Sequence, residues 1–385
     1  MQTDKGQPIT ITEMVQLAHI GVPLDQVTWA RVTMISDRWI AIRHGNREEN
    51  SQKAMVTVLN PKDGTISYAG QTTADSVIMN PSQPIMALKA GLRFEVFNLD
   101  TKVLISKTRL HEPVVYWTWV SSDVIGMVTE TAIYHWDLWQ GNCPPEKMFM
   151  RHTRLAFSEI VSYKADPGLK WLAVTGMIPE DDKISGITQL YNAEEDITQC
   201  IAAHAVCFAS YRFNDNPSPS TLFFVCTRDV QDHGKVHVIE LGPYKPGNFA
   251  PRNCYDHVQY LDDPDRYDFP VSLQVSSEYG LLFVITKYGY LYICDIQTAT
   301  CLCCARISMD IIFASALNTD TQGILGVTRG GQTRGVSSQK YMIYMQALGL
   351  HTLYALCFCM KQKNVIEEIT LHDFQRYKTT TVLLD

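Results

Sequence analysis

The chain has 385 residues, of which 46% are hydrophobic, 10% aromatic and 19% charged, and its formal net charge is −7. This composition supports a large buried core and excludes a mainly disordered chain. The negative charge argues against nucleic acid as the main partner, because phosphate binding requires a dominant basic face. The N-terminus lacks the apolar stretch of a signal peptide, and eleven scattered cysteines fit a reducing compartment. We therefore expect a soluble, cytosolic interaction protein.

One local pattern recurs along the chain: two short apolar strands joined by a polar or glycine turn, the second ending at Asp, Asn or Glu. The clearest example joins Ile85–Leu88 to Phe94–Phe97 across Ala90-Gly91. In chain order the other pairs are Trp39–Ile42 with Met55–Leu59, Ile125–Thr129 with Ala132–Asp137, Trp171–Gly176 with Ile187–Asn192, Leu222–Cys226 with Lys235–Glu240, and Leu282–Thr286 with Tyr290–Asp295. A seventh unit starts at Ile324–Thr328.

The spacing of these units predicts the architecture. Successive units start roughly 40 to 60 residues apart, the interval of a four-stranded propeller blade. An ordinary β-sandwich also alternates short strands and turns, but seven similar units are hard to place around one two-layer core. The sequence therefore predicts an all-β, seven-bladed β-propeller over residues 1–332, followed by an atypical C-terminal tail, 333–385.

The chain lacks the familiar motifs of catalysis and cofactor binding, so we predict no enzyme activity and no cofactor. The best candidate for a cation site or an acid/base pair is an acidic loop that contains Asp262, Asp263, Asp265 and Asp268. The favoured interpretation is that these residues form a solvated loop between blades. Cys301 and Cys304 have zinc-like spacing without a second pair of ligands, which favours buried apolar cysteines and no metal site.

A cationic patch on this acidic chain is the strongest candidate for a binding surface. Between Lys89 and Arg109 the chain carries five positive and two negative side chains, a local charge of +3. Apolar residues interleave with these charges on strand-like segments. A basic rim over an apolar floor would suit a short extended peptide with leucines and an acidic residue, whereas the alternative is a solvated outer strand.

Several segments resemble a known family. Among them are TMISDRWIAIR, FEVFNLDTK, LKWLAVTG, DFPVSLQVS and GILGVTRGGQ. They run colinearly from about Ile9 to Gln332 and resemble the N-terminal domain of the clathrin heavy chain. The resemblance implies a seven-bladed propeller that faces the membrane side of a clathrin coat and recruits adaptor proteins through short linear motifs.

The resemblance also implies a peptide groove between the first two blades, which in that family takes clathrin-box peptides containing leucines and an acid. Its apolar floor corresponds here to Met86 and Phe97, with Val56 or Val58 nearby.

The polar residues of this groove depart from the family pattern. Arg93 and Glu95 stand where the family has Thr and Gln. Of two family lysines Lys102 is retained and the other is Leu104, while a family arginine corresponds to Gly70. Lost charge-assisted contacts of about 0.5 to 2 kcal/mol each imply binding weakened roughly tenfold or more, in a retuned groove.

A second family site, at the top of the ring, receives Trp-containing peptides. It corresponds here to Trp29, Glu159, Val161 and Met177, where the family has Phe, Gln and two Ile. The apolar character is kept, but Glu159 replaces a neutral side chain that could both donate and accept hydrogen bonds.

The resemblance is expected to stop after Gln332, where the family continues with a final propeller strand, a linker helix and a helical leg. This leaves closure of the ring open, with Ile9–Thr12 as the N-terminal contribution to the last blade. In the tail, Tyr341–Met360 carries no formal charge and has the length of a membrane span. A buried element of the last blade is the favoured alternative, and an artefact of the gene model is another.

Two functions follow from the resemblance. The first is a clathrin-like coat component on the cytoplasmic face of coated pits and vesicles, which acts in endocytosis and intracellular transport. Its direct partners would be adaptor and accessory proteins with Leu-rich acidic motifs. It would contact clathrin light or heavy chains only indirectly and would associate with membranes through adaptors. We predict no binding to nucleic acid. The alternative is a soluble clathrin-like fragment without leg or hub, unable to assemble and acting at most as an adaptor competitor.

Overall fold

The protein is described by a computed structural model covering residues 9–45, 54–140, 143–180, 183–228, 234–243, 253–258 and 267–337. Across these ranges 28 β-strands form seven four-stranded sheets, each with antiparallel neighbours. The prediction of an all-β, seven-bladed propeller is therefore confirmed. The three helices in the same ranges are short 3-10 turns, Leu17–Ile20, Leu24–Gln26 and Thr153–Leu155.

The strands of the first four blades follow one another in chain order within each sheet. Blade 1 contains β2 (Val32–Thr33), β3 (Ile40–Gly45), β4 (Ala54–Leu59) and β5 (Ile66–Thr72). Blade 2 contains β6 (Ser76–Met79), β7 (Ile85–Ala90), β8 (Arg93–Asn98) and β9 (Leu104–Arg109). Blade 3 contains β10 (Val114–Trp119), β11 (Val124–Thr129), β12 (Ala132–Asp137) and β13 (Glu146–Met150). Blade 4 contains β14 (Glu159–Ala165), β15 (Trp171–Glu180), β16 (Lys183–Asn192) and β17 (Ile197–Ala202).

The last three blades complete the ring. Blade 5 contains β18 (Ala205–Tyr211), β19 (Ser220–Arg228), β20 (Gly234–Gly242) and β21 (Asn253–Val258). Blade 6 contains β22 (Pro270–Ser276), β23 (Leu281–Thr286), β24 (Tyr290–Asp295) and β25 (Cys301–Arg306). Blade 7 combines β26 (Ile312–Asn318), β27 (Gly323–Thr328) and β28 (Gln332–Ser337) with the N-terminal strand β1 (Thr10–Gln16).

Blade 7 closes the ring by pairing the two ends of the propeller. Strand β1 runs antiparallel to β28, with Thr10 opposite Ser337 and Gln16 opposite Gln332. The backbone N–H of Leu17 also donates to the carbonyl of Gly331 at 2.8 Å. Closure, which the sequence left open, is thus present, and the closing strand is longer than the predicted Ile9–Thr12.

The chain divides into two compact units, Met1–Gln339 and Lys340–Asp385. The propeller belongs to the first, and the predicted boundary at Gln332 falls where β28 begins. The second unit, including the uncharged run Tyr341–Met360, lies outside the described residues. No helix in the described ranges is long and apolar enough to cross a membrane.

The polar residue that ends the third strand of a blade closes the turn to the fourth. Asn98 Oδ1 accepts hydrogen bonds from the backbone N–H groups of Asp100 and Thr101, both at 3.0 Å, as expected of an Asx turn. The N–H of Asn98 donates to the carbonyl of Val103 at 3.0 Å. Side-chain bonds to the following backbone recur after Asn60, Asn192 and Asp295. The repeated Asp or Asn of the sequence pattern is therefore a turn-forming residue.

Apolar side chains fill the spaces between neighbouring blades. Each strand turns alternate residues to its two faces, so one blade contributes to two inter-blade cores. In β7, Ile85 and Ala87 pack towards blade 3, whereas Met86 packs towards blade 1. This alternation fixes which residues of blade 2 can take part in a groove beside blade 1.

Candidate functional site

The junction between blades 1 and 2 contains a buried apolar layer. Val56 and Val58 of blade 1 form one buried cluster with Val77, Met79 and Met86 of blade 2. Met86 is only 4% exposed. The predicted floor residues therefore do come together, but Met86, Val56 and Val58 lie beneath the surface rather than on it.

The outer half of the same junction is open to solvent. Strand register places Phe97 between Met86 of β7 and Leu104 of β9, so these three side chains share one face of blade 2. Phe97 is half-buried, whereas Leu104 is 41% exposed. Together Phe97 and Leu104 form the accessible apolar end of the cleft.

Charged residues form two further rows on this face. Leu88, Glu95 and Lys107 lie opposite one another, and Arg93 lies opposite Arg109. Glu95, Lys107 and both arginines are exposed. The face of blade 2 is therefore apolar at Phe97. The next row along the strands combines Glu95 with Lys107, and the row after that holds the two arginines.

The cationic patch predicted from the sequence does not stay on one surface. Lys89 has the opposite parity on β7 and lies across from Phe94, which packs towards blade 3. Its ammonium lies 3.8 Å from the carboxylate of Asp75. The prediction of one continuous basic rim from Lys89 to Arg109 is therefore wrong for Lys89, because strand alternation separates it from Arg93 and Arg109.

Lys102 lies in the turn between β8 and β9, in the short segment that connects Phe97 to Leu104. Its φ is +57°, in the left-handed region, four residues after Asn98. The same position of the equivalent turn in blade 1 is occupied by Gly64, with φ +76°. Lys102 thus carries its charge on a backbone conformation that favours glycine.

The opposite wall of the cleft belongs to β5. Gly70 lies opposite Val56 and Tyr68 lies opposite Val58. A Cβ added to Gly70 would collide with the phenol oxygen of Tyr68, so the Tyr68 ring occupies the space that a side chain at 70 would need. Where the family resemblance implies an arginine, this chain therefore presents a tyrosine laid over a glycine.

The second predicted site gathers around the start of β14. Glu159 lies opposite Met177 on β15, and Val161 is the extra residue of a β-bulge between Ile160 and Ser162. Glu159 is exposed, while Val161 and Met177 are half-buried.

Trp29 joins this region through a residue that the sequence reasoning missed. Its indole, 42% exposed, stacks on Tyr116 with ring centroids 6.2 Å apart. Tyr116 packs against the apolar cluster of blades 3 and 4 that includes Ile160, next in sequence to Glu159 and Val161. Burial raises the pKa of Tyr116 to about 12. Only the fold reveals this link, because Tyr116 lies far in sequence from both partners.

The minor candidates separate in the structure. Asp268 is buried rather than solvated, and its Oδ1 accepts hydrogen bonds from the N–H groups of Phe269 and Tyr288 at 3.0 and 3.1 Å. Burial raises its pKa. Asp262, Asp263 and Asp265 lie outside the described residues. Within the described ranges no group of three or more His, Cys, Asp or Glu side chains is placed to hold a metal ion.

Comparisons with known proteins place this geometry in context. No family model matches the chain. Human "Clathrin heavy chain 2" is 36% identical over 332 residues, which cover 86% of this chain and 20% of that protein. The Drosophila melanogaster clathrin heavy chain is 35% identical over 87% of this chain and 20% of its own length.

A third relative extends the similarity. The Dictyostelium discoideum clathrin heavy chain is 32% identical over 373 residues, which cover 96% of this chain and 22% of that protein. Since a 96% alignment must include most residues after Gln332, the prediction that the resemblance stops there is wrong for this relative.

The fold is also found in a solved structure. One chain of a crystal structure of a mitotic checkpoint complex matches with a TM-score of 0.54, covering 85% of this chain and 93% of that one. At 14% identity this likeness concerns the fold alone. The relatives agree with the resemblance seen in the sequence: over about 86% of its length this chain is similar to clathrin heavy chains, and it spans about a fifth of theirs.

Proposed function

We propose that this chain acts as a clathrin-like coat component whose propeller recruits adaptor proteins through short linear peptides in vesicle formation and intracellular transport. It would work at the cytoplasmic face of coated pits and vesicles and would reach the membrane through those adaptors. The observation that carries this proposal is the half-open cleft between blades 1 and 2, in a chain similar to clathrin heavy chains.

The cleft has the features that an extended peptide requires. Its apolar end, Phe97 and Leu104, can accept leucine side chains, and its charged rows can orient an acidic residue. The buried layer of Val56, Val58 and Met86 holds the two walls together beneath the peptide. Binding would require little rearrangement of the blades, which keeps the entropic cost of association low.

A fluorescence-anisotropy titration tests this function. The probe is a labelled peptide in which leucines alternate with aspartates, titrated with the purified chain. We expect saturable binding, weakened about tenfold by Phe97→Ala through loss of apolar contact and also weakened by Lys102→Glu.

Lys89→Gln is the matched control, because Lys89 lies on the other face of the same hairpin. It should leave affinity unchanged. Circular dichroism must show that every variant is folded. A folded wild-type chain that does not bind the peptide would overturn the proposed function, as would equal losses in Phe97→Ala and Lys89→Gln.

A further inference from the structure

We propose that Arg93 and Arg109 form a subsite for one anionic side chain of the bound peptide, a carboxylate or a phosphate, at the end of the cleft away from Phe97. This inference rests on the proposed function and assigns the ligand chemistry and the spacing that the cleft selects. In the proposed complex, the leucine that contacts Phe97 and the anionic side chain lie about four residues apart along an extended peptide.

The arginine row is an arrangement that a folded sheet does not favour by itself. Arg93 and Arg109 lie directly opposite each other on β8 and β9, so their Cβ atoms are separated by only about 5 Å. Like charges placed directly opposite across two strands destabilise the pair. An anion held between the two guanidinium groups would turn this repulsion into paired charge-assisted hydrogen bonds.

No anion from the described ranges neutralises this row. Both arginines are exposed, and neither forms an ion pair within 4.0 Å with a described carboxylate. Lys89, on the other face of the same blade, does lie beside a carboxylate, that of Asp75. The two faces of blade 2 therefore differ: the face away from blade 1 has a built-in counterion, and the cleft face leaves its arginines available.

The strand geometry fixes the distance between anchor and anion. Arg93 and Phe97 point to the same face of β8 and are four residues apart, which corresponds to about 14 Å along an antiparallel strand. A peptide lying extended beside the strand covers that distance in about four residues. The intervening row, Glu95 with Lys107, would disfavour a second acidic residue midway near Glu95.

The face separates its apolar end from its cationic end. Leu104 lies beside Phe97 at the apolar end, whereas Arg93 and Arg109 form the row at the other end. A peptide with its acid next to its leucines should therefore be a poorer ligand than one with its acid displaced.

The first experiment varies the peptide. Labelled peptides carry one leucine pair and one aspartate placed two, four or six residues away, on either side, because the direction of the peptide is part of the question. We expect the tightest binding at a spacing of about four residues, with the corresponding asparagine peptide bound about three- to tenfold more weakly.

The second experiment varies the protein. Arg93→Gln and Arg109→Gln should each weaken the aspartate peptide about three- to tenfold and leave the asparagine peptide unchanged, whereas Lys89→Gln should affect neither. This combination measures the coupling between arginine and carboxylate, and a merely structural effect of either substitution would weaken the binding of both peptides equally.

A phosphoserine peptide at the same spacing identifies the anion. Tighter binding than that of the aspartate peptide assigns a phosphate site, and weaker binding assigns a carboxylate site.

The outcomes separate this inference from the proposed function. If neither aspartate nor asparagine peptides bind the folded chain, the proposed function fails. If both bind with equal affinity, at all spacings and in both arginine variants, the cleft binds peptides but the anionic subsite does not exist.

Discussion

The two faces of blade 1 differ in how they meet the neighbouring blades. Towards blade 7, turns of the two blades are joined by hydrogen bonds: Asp37 Oδ2 accepts from Lys62 Nζ at 2.8 Å and from the N–H and hydroxyl of Thr319 at 2.9 and 2.7 Å. Thr333 adds a hydrogen bond to the carbonyl of Pro61 at 3.0 Å. Towards blade 2 the inner half is sealed, but the outer half exposes unpaired charges.

This difference separates closure from recognition. Both junctions have an apolar layer near the centre, which holds neighbouring blades together. The 7–1 junction satisfies its polar groups internally, as a ring-closing contact must if it is to resist opening. The 1–2 junction is also bridged by hydrogen bonds, from Thr33 to the carbonyl of Val77 and from Arg38 to that of Ser82, both at 2.9 Å. It differs in that Arg93 and Arg109, exposed on its blade 2 side, form no ion pair with a described carboxylate. The following changes would break or sharpen that contrast, from the largest expected effect to the smallest.

Asp37→Ala should loosen the closing junction most. Asp37 is 4% exposed, and its loss leaves the N–H of Thr319 and the ammonium of Lys62 without their shared acceptor. We expect the free energy of unfolding, measured by urea denaturation, to fall by about 3 kcal/mol.

The control is Asp320→Ala, which removes the exposed carboxylate bound to the same lysine. Its expected cost is under about 1 kcal/mol, because exposed ion pairs are screened by water. Equal losses in the two variants would contradict the view that the buried acceptor seals the junction.

Although burial raises the pKa of Asp37, the hydrogen bonds from Lys62 and Thr319 hold that pKa below its usual value. The contribution of Asp37 should therefore be lost as the pH falls below about 4.

A third junction, between blades 3 and 4, is predicted to be sensitive to acid. His135 is buried and lies 2.7 Å from the Tyr163 hydroxyl, and burial lowers the pKa of His135 to about 4. In the unfolded chain this histidine takes up a proton near pH 6.5, while in the folded chain it does not until about pH 4. Stability should therefore fall by up to about 3 kcal/mol as the pH drops through that window.

Urea denaturation between pH 7 and pH 4 checks this, with His135→Gln as the comparison. The variant should lose a large part of the pH dependence. The remaining slope reports groups such as His204, whose pKa is also lowered by burial. An unchanged slope would show that His135 is not the titrating group.

Gly70→Arg should sharpen recognition at the open junction. It adds a positive charge to the blade 1 wall, and we expect affinity for an aspartate-containing peptide to rise about fivefold in anisotropy titrations. Because any side chain at 70 must displace the phenol of Tyr68, Gly70→Ala is the matched control. A similar rise in the alanine variant would assign the gain to movement of Tyr68 instead of to charge.

Lys102→Gly should have the smallest effect and separates charge from backbone. We expect unfolding free energy to change by less than about 1 kcal/mol, because glycine adopts the left-handed φ of this turn without strain but loses more entropy on folding. Affinity for the acidic peptide should fall about threefold. A large loss of stability would show that the Lys102 side chain supports the turn itself.

Much of the architecture was predictable from local pattern. Ile125–Thr129 and Ala132–Asp137 were predicted as paired strands, and β11 and β12 agree closely with them. The polar residue at the end of the third strand was visible as well, since Asn98 makes its hydrogen bonds within a few residues of its own position. Such features are local in sequence, so the sequence can reveal them.

The site was predictable only in part, because a face is a property of paired strands. Met86, Glu95 and Phe97 fall on one face, but Lys89 lies on the other, and Arg109 gains importance only by lying opposite Arg93. The stacking of Trp29 on Tyr116 joins separate blades and leaves no local signal.

The sequence by itself determined the strands, the seven repeats, the turn residues and the family resemblance, because these depend on hydrophobic alternation and on hydrogen bonds between near neighbours. Tertiary structure alone decided that the ring closes through β1 and β28, that Met86 is covered, and that two arginines share a row beside an open cleft. Those outcomes depend on strand register and on which blades meet, and both are set by contacts between residues far apart in the chain.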